Sequence, residues 1–302
     1  MTTTKPDIKA LLAQMPDADK PGQTAKFTGP DPAKAKVIYE AILAGGRDCL
    51  LELIALLRDP NDPAPKDFRA EYVLHGLAIY VGGAGRERQR KMFAETLGLK
   101  LASAEPLPAF SRLIGRKRAI LPAGVQSFLI RELQVAGGGE SVKVLGRLLS
   151  DEPLCEPAAQ ALVAIGGKSA AGELRGALSK ARGRCRVTVV QNLGVLRDAP
   201  SVRAIRSCLS DKDADVRLAA AWALARIGDA GSVDSVLKEA DAAPGWERIK
   251  ATQACLLLAE NLAAAGKKPD AARIYSHLRD SRTDPKEKYV REAAAKALTA
   301  MA

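Results

Sequence analysis

The sequence predicts an all-α fold, a right-handed α-solenoid of about six stacked helical hairpins. Three observations carry that expectation. The composition is 47% hydrophobic but only 4% aromatic, with Ala and Leu dominant and few β-branched runs, which favours closely packed helices over sheets. A shift of 31 residues lays "CRVTVVQNLGVLRDAPSV" (185–202) over "VRLAAAWALARIGDAGSV" (216–233), with identities at Arg186/Arg217, Leu193/Leu224, Asp198/Asp229, Ala199/Ala230, Ser201/Ser232 and Val202/Val233. Within one such unit a short helical pattern, "SVRAIRSCLSD" (201–211), leads through a turn into a longer Ala-rich one that ends at a glycine.

In chain order, residues 1–32 read as an extended arm. Pro6, Pro16, Pro21, Pro30 and Pro32 surround one short helical pattern, "DIKALLAQM", placed to fold back as a cap. Residues 33–302 read as a single solenoid domain. Its early part has hairpin shapes without a clear motif: "CLLELIALLRDP" (49–60), "DFRAEYVLHGLAIYVGG" (67–83) and "GVQSFLIRELQVAGG" (124–138). Units at 139–166 and 170–197 fit the repeat in part, and 201–231 fits it fully. The helix that starts near Trp246 runs on through "LLLAENLAAAG" to a stop at Gly266, an insertion inside one repeat. "YVREAAAKAL" (289–298) then repeats "DVRLAAAWAL" (215–224) and reads as the closing helix.

The stretch "SVRAIRSCLSDKDADVRLAAAWALARIGDAGSV" (201–233) resembles HEAT repeats, specifically the short bacterial type also found in phycobilisome lyase subunits: an apolar helix ending Leu-x-Asp, an acidic turn, Val-Arg opening the second helix, then Ala-rich packing and Ile-Gly. "KKPDAARIYSHLRDSRTDPKEKYV" (267–290) resembles a tetratricopeptide hairpin, which stacks in the same way. The resemblance implies a non-enzymatic scaffold or adaptor that binds a protein or peptide, acidic ones included, on the concave face of the solenoid. Two alternatives stay open. One is a nucleic-acid-binding HEAT protein similar to the alkylpurine DNA glycosylases, and the other an accessory chaperone or lyase subunit. The iron-binding hydroxylases built on HEAT repeats use several His-Glu pairs, and His75 and His277 are each followed by another residue.

The residue inventory is poor in catalytic groups. The two histidines stand about 200 residues apart in an elongated fold, and the five cysteines, Cys49, Cys155, Cys185, Cys208 and Cys255, lack zinc-knuckle spacing and read as small buried hydrophobes. "GGKS" (166–169) has Leu162 where a phosphate-binding loop needs its first glycine, so it reads as an inter-helix turn. "GGGES" (137–141) and "GGAGRE" (82–87) likewise sit where a helix stops. No catalytic residue, cofactor or metal is expected. No apolar run approaches a membrane span, and "MTTTKPDIKA" lacks the apolar core of a signal peptide. A cytoplasmic location is expected, with export of a processed chain kept open and the oligomeric state unassigned.

Trp222 raises the question of a binding face. At 100° per residue, Val216, Ala220, Ala223, Leu224 and Ile227 share one side of its helix, while Leu218, Trp222 and Ala225 fall opposite. The 31-residue shift extends Trp222 to Gln160, Gln191 and Gln253, and Leu218 to Glu156, Val187 and Ile249. Amides, apolar residues and one indole at a common register suit an extended peptide, whose backbone Gln satisfies while Trp anchors a side chain. The opposing expectation has Trp222 filling a gap between Ala-rich helices. A parallel ladder, Arg186, Arg217 and Arg248, reads as bonding the inter-repeat turns. The formal charge of +11 makes acidic partners natural. The alternative nucleic-acid patch comprises Arg86, Arg88, Arg90 and Lys91, then Arg112, Arg116, Lys117 and Arg118, then Lys180, Arg182, Arg184 and Arg186.

Overall fold

A computed structural model describes residues 5–15, 31–59, 62, 68–103 and 121–301. Among them the structure is all-α, as the sequence predicts. The helices are α1 (Ile8–Leu12), α2 (Pro32–Ala44), α3 (Gly46–Ala55), α4 (Arg69–Val81), α5 (Glu87–Ser103), α6 (Ala123–Ala136), α7 (Val142–Arg147), α8 (Cys155–Ile165), α9 (Gly167–Leu178), α10 (Gly183–Val195), α11 (Val202–Cys208), α12 (Ala214–Ile227), α13 (Val233–Ala240), α14 (Trp246–Ala264), α15 (Lys268–Ser281) and α16 (Lys288–Met301). None is long and apolar enough to cross a membrane.

The chain forms two compact units, residues 1–148 with 160–165, and 149–159 with 166–302. In the first, α2, α4 and α6 pack side by side, with α3, α5 and α7 forming a second layer behind them. The short α1 starts because the Asp7 carboxylate accepts from the backbone N–H groups of Lys9 and Ala10, and it buries Ile8 and Leu12 against α3 and α4.

In the second unit α10, α12 and α14 pack side by side, each paired behind with the preceding helix of its hairpin, α9, α11 and α13. The repeat unit shows how the sequence does this. Asp213 caps α12 by accepting from the Asp215 N–H at 2.9 Å, and Gly228 ends it in the left-handed region at φ 78°, where a side chain is strained. Val216, Ala220, Ala223 and Leu224 are buried as expected, whereas Ile227, at the end of the helix, is half-buried. Ala225, placed by the helical wheel on the open side, is fully buried, and its carbonyl accepts from the Asn261 side-chain amide of α14 at 2.8 Å. A helix with neighbours behind and on both flanks keeps only a narrow exposed stripe, and methyl-sized side chains let those neighbours close in on the rest. The long α14 and its stop at Gly266 (φ 76°) are as the sequence predicts.

Among the described residues the largest fully buried side chain is an arginine. Arg282, at the end of α15, donates to the Ala240 carbonyl at 2.8 Å, the Ser281 hydroxyl at 2.8 Å and the Thr252 hydroxyl at 3.3 Å, and lies 3.5 Å from Asp241 and 3.6 Å from Glu287. Its carbonyl accepts from Arg291 of α16. One guanidinium thus ties the ends of α13 and α15 to α14 and the turn before α16.

Candidate functional site

The face formed by α10, α12 and α14 depends on one missing side chain. A Cβ at Gly194 of α10 would lie 2.6 Å from the Ala223 Cα, 2.8 Å from the Ala223 Cβ and 3.2 Å from Trp222 Cζ3. Gly194 therefore lets α10 and α12 approach closely, and the indole edge rests over it. Trp222 is half-buried, with the Arg226 guanidinium 5.4 Å from the ring centroid. Beside it, Val187 and Leu218 are half-buried, while Gln191, Gln253 and Ile249 are exposed. Gln160 is exposed on α8 and belongs to the first unit.

The arginines flanking this face are occupied between repeats. Arg186 pairs with Asp211 at 3.2 Å. Arg217 pairs with Glu239 at 3.1 Å and Glu247 at 3.2 Å, and donates to the Asp211 carbonyl at 3.1 Å. Arg248 grips Glu287 through Nε at 2.8 Å and Nη2 at 2.6 Å. Sequence reasoning missed a second ladder on the first helices of the hairpins, although the Asp198/Asp229 match is its visible half. Arg175 pairs with Asp198 at 2.5 Å, and Arg206, 31 residues on, pairs with Asp229 through Nε at 2.7 Å and Nη2 at 2.6 Å. Burial works against the Asp229 carboxylate, but hydrogen bonds from Arg206, the Ser232 hydroxyl and the Gly231 N–H outweigh it and hold its pKa below the usual range.

The basic clusters are largely spent in the same way. Arg90 donates to Glu140 at 2.6 Å and to the Ala136 carbonyl at 3.0 Å, Arg86 covers the Tyr80 ring at 4.0 Å, and Lys91 is 3.9 Å from Glu95. Arg182 donates to the carbonyls of Ser179 and Ala181, Arg184 pairs with Glu156 at 2.5 Å, and Arg186 is held by Asp211. Arg88 and Lys180 are exposed. Arg112, Arg116, Lys117 and Arg118 lie outside the described residues.

His75 and His277 lie in separate units. His75 Nδ1 is 3.0 Å from the buried carboxylate of Glu132, whose pKa is raised by burial against the opposing pull of His75. His277 Nε2 is 2.8 Å from Asp241. No cluster of three or more His, Cys, Asp or Glu side chains suited to a metal occurs among the described residues. The five cysteines are buried and unpaired, and burial pushes the Cys185 and Cys255 thiols up to about 12, far from the thiolate a nucleophile needs. A cleft of about 190 Å³ in the first unit is lined by Arg58, Glu71, Phe128 and Arg131 among others.

The family model for HEAT repeats matches residues 173–256, which span α10, α12 and the hairpin partners between them. This stretch is built of HEAT repeats. None of the curated proteins matches the chain. Among solved structures, an engineered protein is 18% identical with a TM-score of 0.43, covering 97% of this chain and 78% of its own. The complex of CpcE and CpcF of phycocyanin lyase from Nostoc sp. PCC7120 is 16% identical with a TM-score of 0.39, covering 93% and 99%. Human deoxyhypusine hydroxylase in complex with glycerol is 16% identical with a TM-score of 0.33, covering 89% and 99%. Within this stretch Arg186, Arg217 and Arg248 recur at the 31-residue interval, and carboxylates of the adjoining turns and helices are among their partners.

Proposed function

We propose that the protein is a non-enzymatic scaffold that binds an extended segment of a partner protein across the face of α10, α12 and α14, on the concave side of its HEAT solenoid. The supporting observation is the division of labour on these helices. The charged side chains of the register are committed to ion pairs between repeats, while Gln191, Gln253, Ile249, Leu218, Val187 and Trp222 are left exposed or half-exposed along helices packed side by side. Exposed amides match the donors and acceptors of an extended backbone, and the apolar members supply contact area.

Selection from a displayed peptide library against the full chain tests this. Selected peptides should lose affinity in Gln191→Ala and Gln253→Ala with the melting temperature unchanged, since surface substitutions stay within about 0.5 kcal/mol. Selected peptides whose affinity is indifferent to both substitutions would sink the reading. Duplex DNA at ~150 mM salt should bind only weakly and without sequence preference, because most described arginines of the basic clusters already have partners. Tight binding there would favour the nucleic-acid alternative.

A further inference from the structure

Two of the most exposed large side chains occupy one register position. Trp246, 65% exposed, opens α14, and Tyr289, 64% exposed, opens α16. The 31-residue shift sets Trp246 over Asp215, and the closing match sets Tyr289 over Asp215 as well. A stiff link joins them. Arg248, two residues after Trp246, holds both oxygens of Glu287, two residues before Tyr289, and this pair is largely withdrawn from solvent. Ile249 is 45% exposed on the turn that carries Trp246, and the Lys250 ammonium sits 4.5 Å over the indole ring.

Some of the surrounding charges are paired and some are not. Glu247 is tied to Arg217, Glu287 to Arg248 and Glu292 to Lys288, while Asp284 caps the turn at Lys286. Lys250 and Lys286 have no carboxylate partner among the described residues; Asp284, which accepts from the Lys286 backbone N–H, and Asp213 and Asp215, one repeat back, form no ion pair either. Lone exposed apolar residues are ordinary, but here two aromatics of the types that dominate binding hot spots stand beside lysines that no carboxylate neutralises.

We infer that this corner of the second unit anchors an acidic segment of a partner protein, its apolar or aromatic side chains received by Trp246, Ile249 and Tyr289 and its carboxylates by Lys250 and Lys286. The inference rests on the peptide-binding reading above and adds the chemistry of the partner. A second copy of this chain is the poorer occupant, because the formal charge of +11 makes copies repel.

The test measures binding of the full chain at ~150 mM salt to a random copolymer of glutamate and tyrosine, with polyglutamate as the control. The wild type should prefer the copolymer. The double variant Trp246→Ala/Tyr289→Ala should lose about tenfold or more of that affinity, keep its polyglutamate binding and keep its melting temperature. Lys250→Glu/Lys286→Glu should weaken both polymers. Equal binding of the two polymers by the wild type overturns the anchor, and so does a double variant that retains copolymer affinity. If Gln191→Ala and Gln253→Ala lose copolymer binding while the aromatic variant does not, the groove reading stands and this anchor falls; if neither set responds, both fall. Self-association of the wild type that the aromatic double variant abolishes would assign the site to a second copy and overturn the acidic partner.

Discussion

Trp222 and Gly194 are a matched pair: the indole edge occupies the space that a side chain on α10 would fill. This geometry makes two expectations at the residue scale. Gly194→Ala places a methyl 2.6 Å from the Ala223 Cα, a backbone atom that cannot swing aside, so α10 and α12 must separate. A loss of about 1–3 kcal/mol should follow, read as a fall in denaturation midpoint. A midpoint equal to wild type would mean that the helices do not approach this closely in solution. Trp222→Ala should cost about 2 kcal/mol, below the ~3–5 kcal/mol of a fully buried tryptophan because the ring is half-exposed. The helical wheel located Trp222 on the less buried side but could not show Gly194 beneath it, since a glycine in a helical stretch looks the same whether it weakens the helix or admits a neighbour.

At the scale of the element, the turns between repeats are held by arginines in register. Asp229 is kept ionised by Arg206 and Ser232, so its folded pKa lies below its unfolded value near ~3.9. A depressed carboxylate pKa contributes stability that is present above the unfolded value and is lost as pH falls through the folded one. Asp229→Asn should therefore cost about 1–2 kcal/mol at neutral pH, a figure discounted because Arg206 is partly exposed, and the difference from wild type should shrink below pH ~4. A difference that is constant from pH 7 to ~3 would place the effect in packing rather than in charge. Arg282 is the stronger lock. Removing it as Arg282→Ala leaves Asp241 and Glu287 beside a buried void and should cost about 3 kcal/mol or more. Sequence reading missed this residue because a lone arginine at a helix end is usually solvated, and only the convergence of two helix ends, the flank of α14 and a turn gives it partners.

For the whole molecule, the two tryptophans provide a local probe. Trp222 and Trp246 both belong to the second unit, so fluorescence follows that unit while far-UV circular dichroism follows the helices of both. In a stack whose repeats contact only their neighbours, damage need not spread evenly. Arg282→Ala should lower the urea midpoint seen by fluorescence more than the one seen by circular dichroism, and coincident transitions would indicate a single cooperative unit instead. By itself the sequence determined the all-α class, the hairpin order, the 31-residue register, the HEAT character of the central repeats and the long α14, because these follow from helical periodicity and from turn residues that act locally. Only the tertiary structure decided that Ala225 is buried, that Trp222 rests on Gly194, which carboxylates hold the arginines of the ladder, and that Trp246 and Tyr289 remain exposed. Whether a side chain is free or occupied depends on which neighbouring helix end lies within a few ångströms of it, and that distance is set by packing across repeats rather than by spacing along the chain.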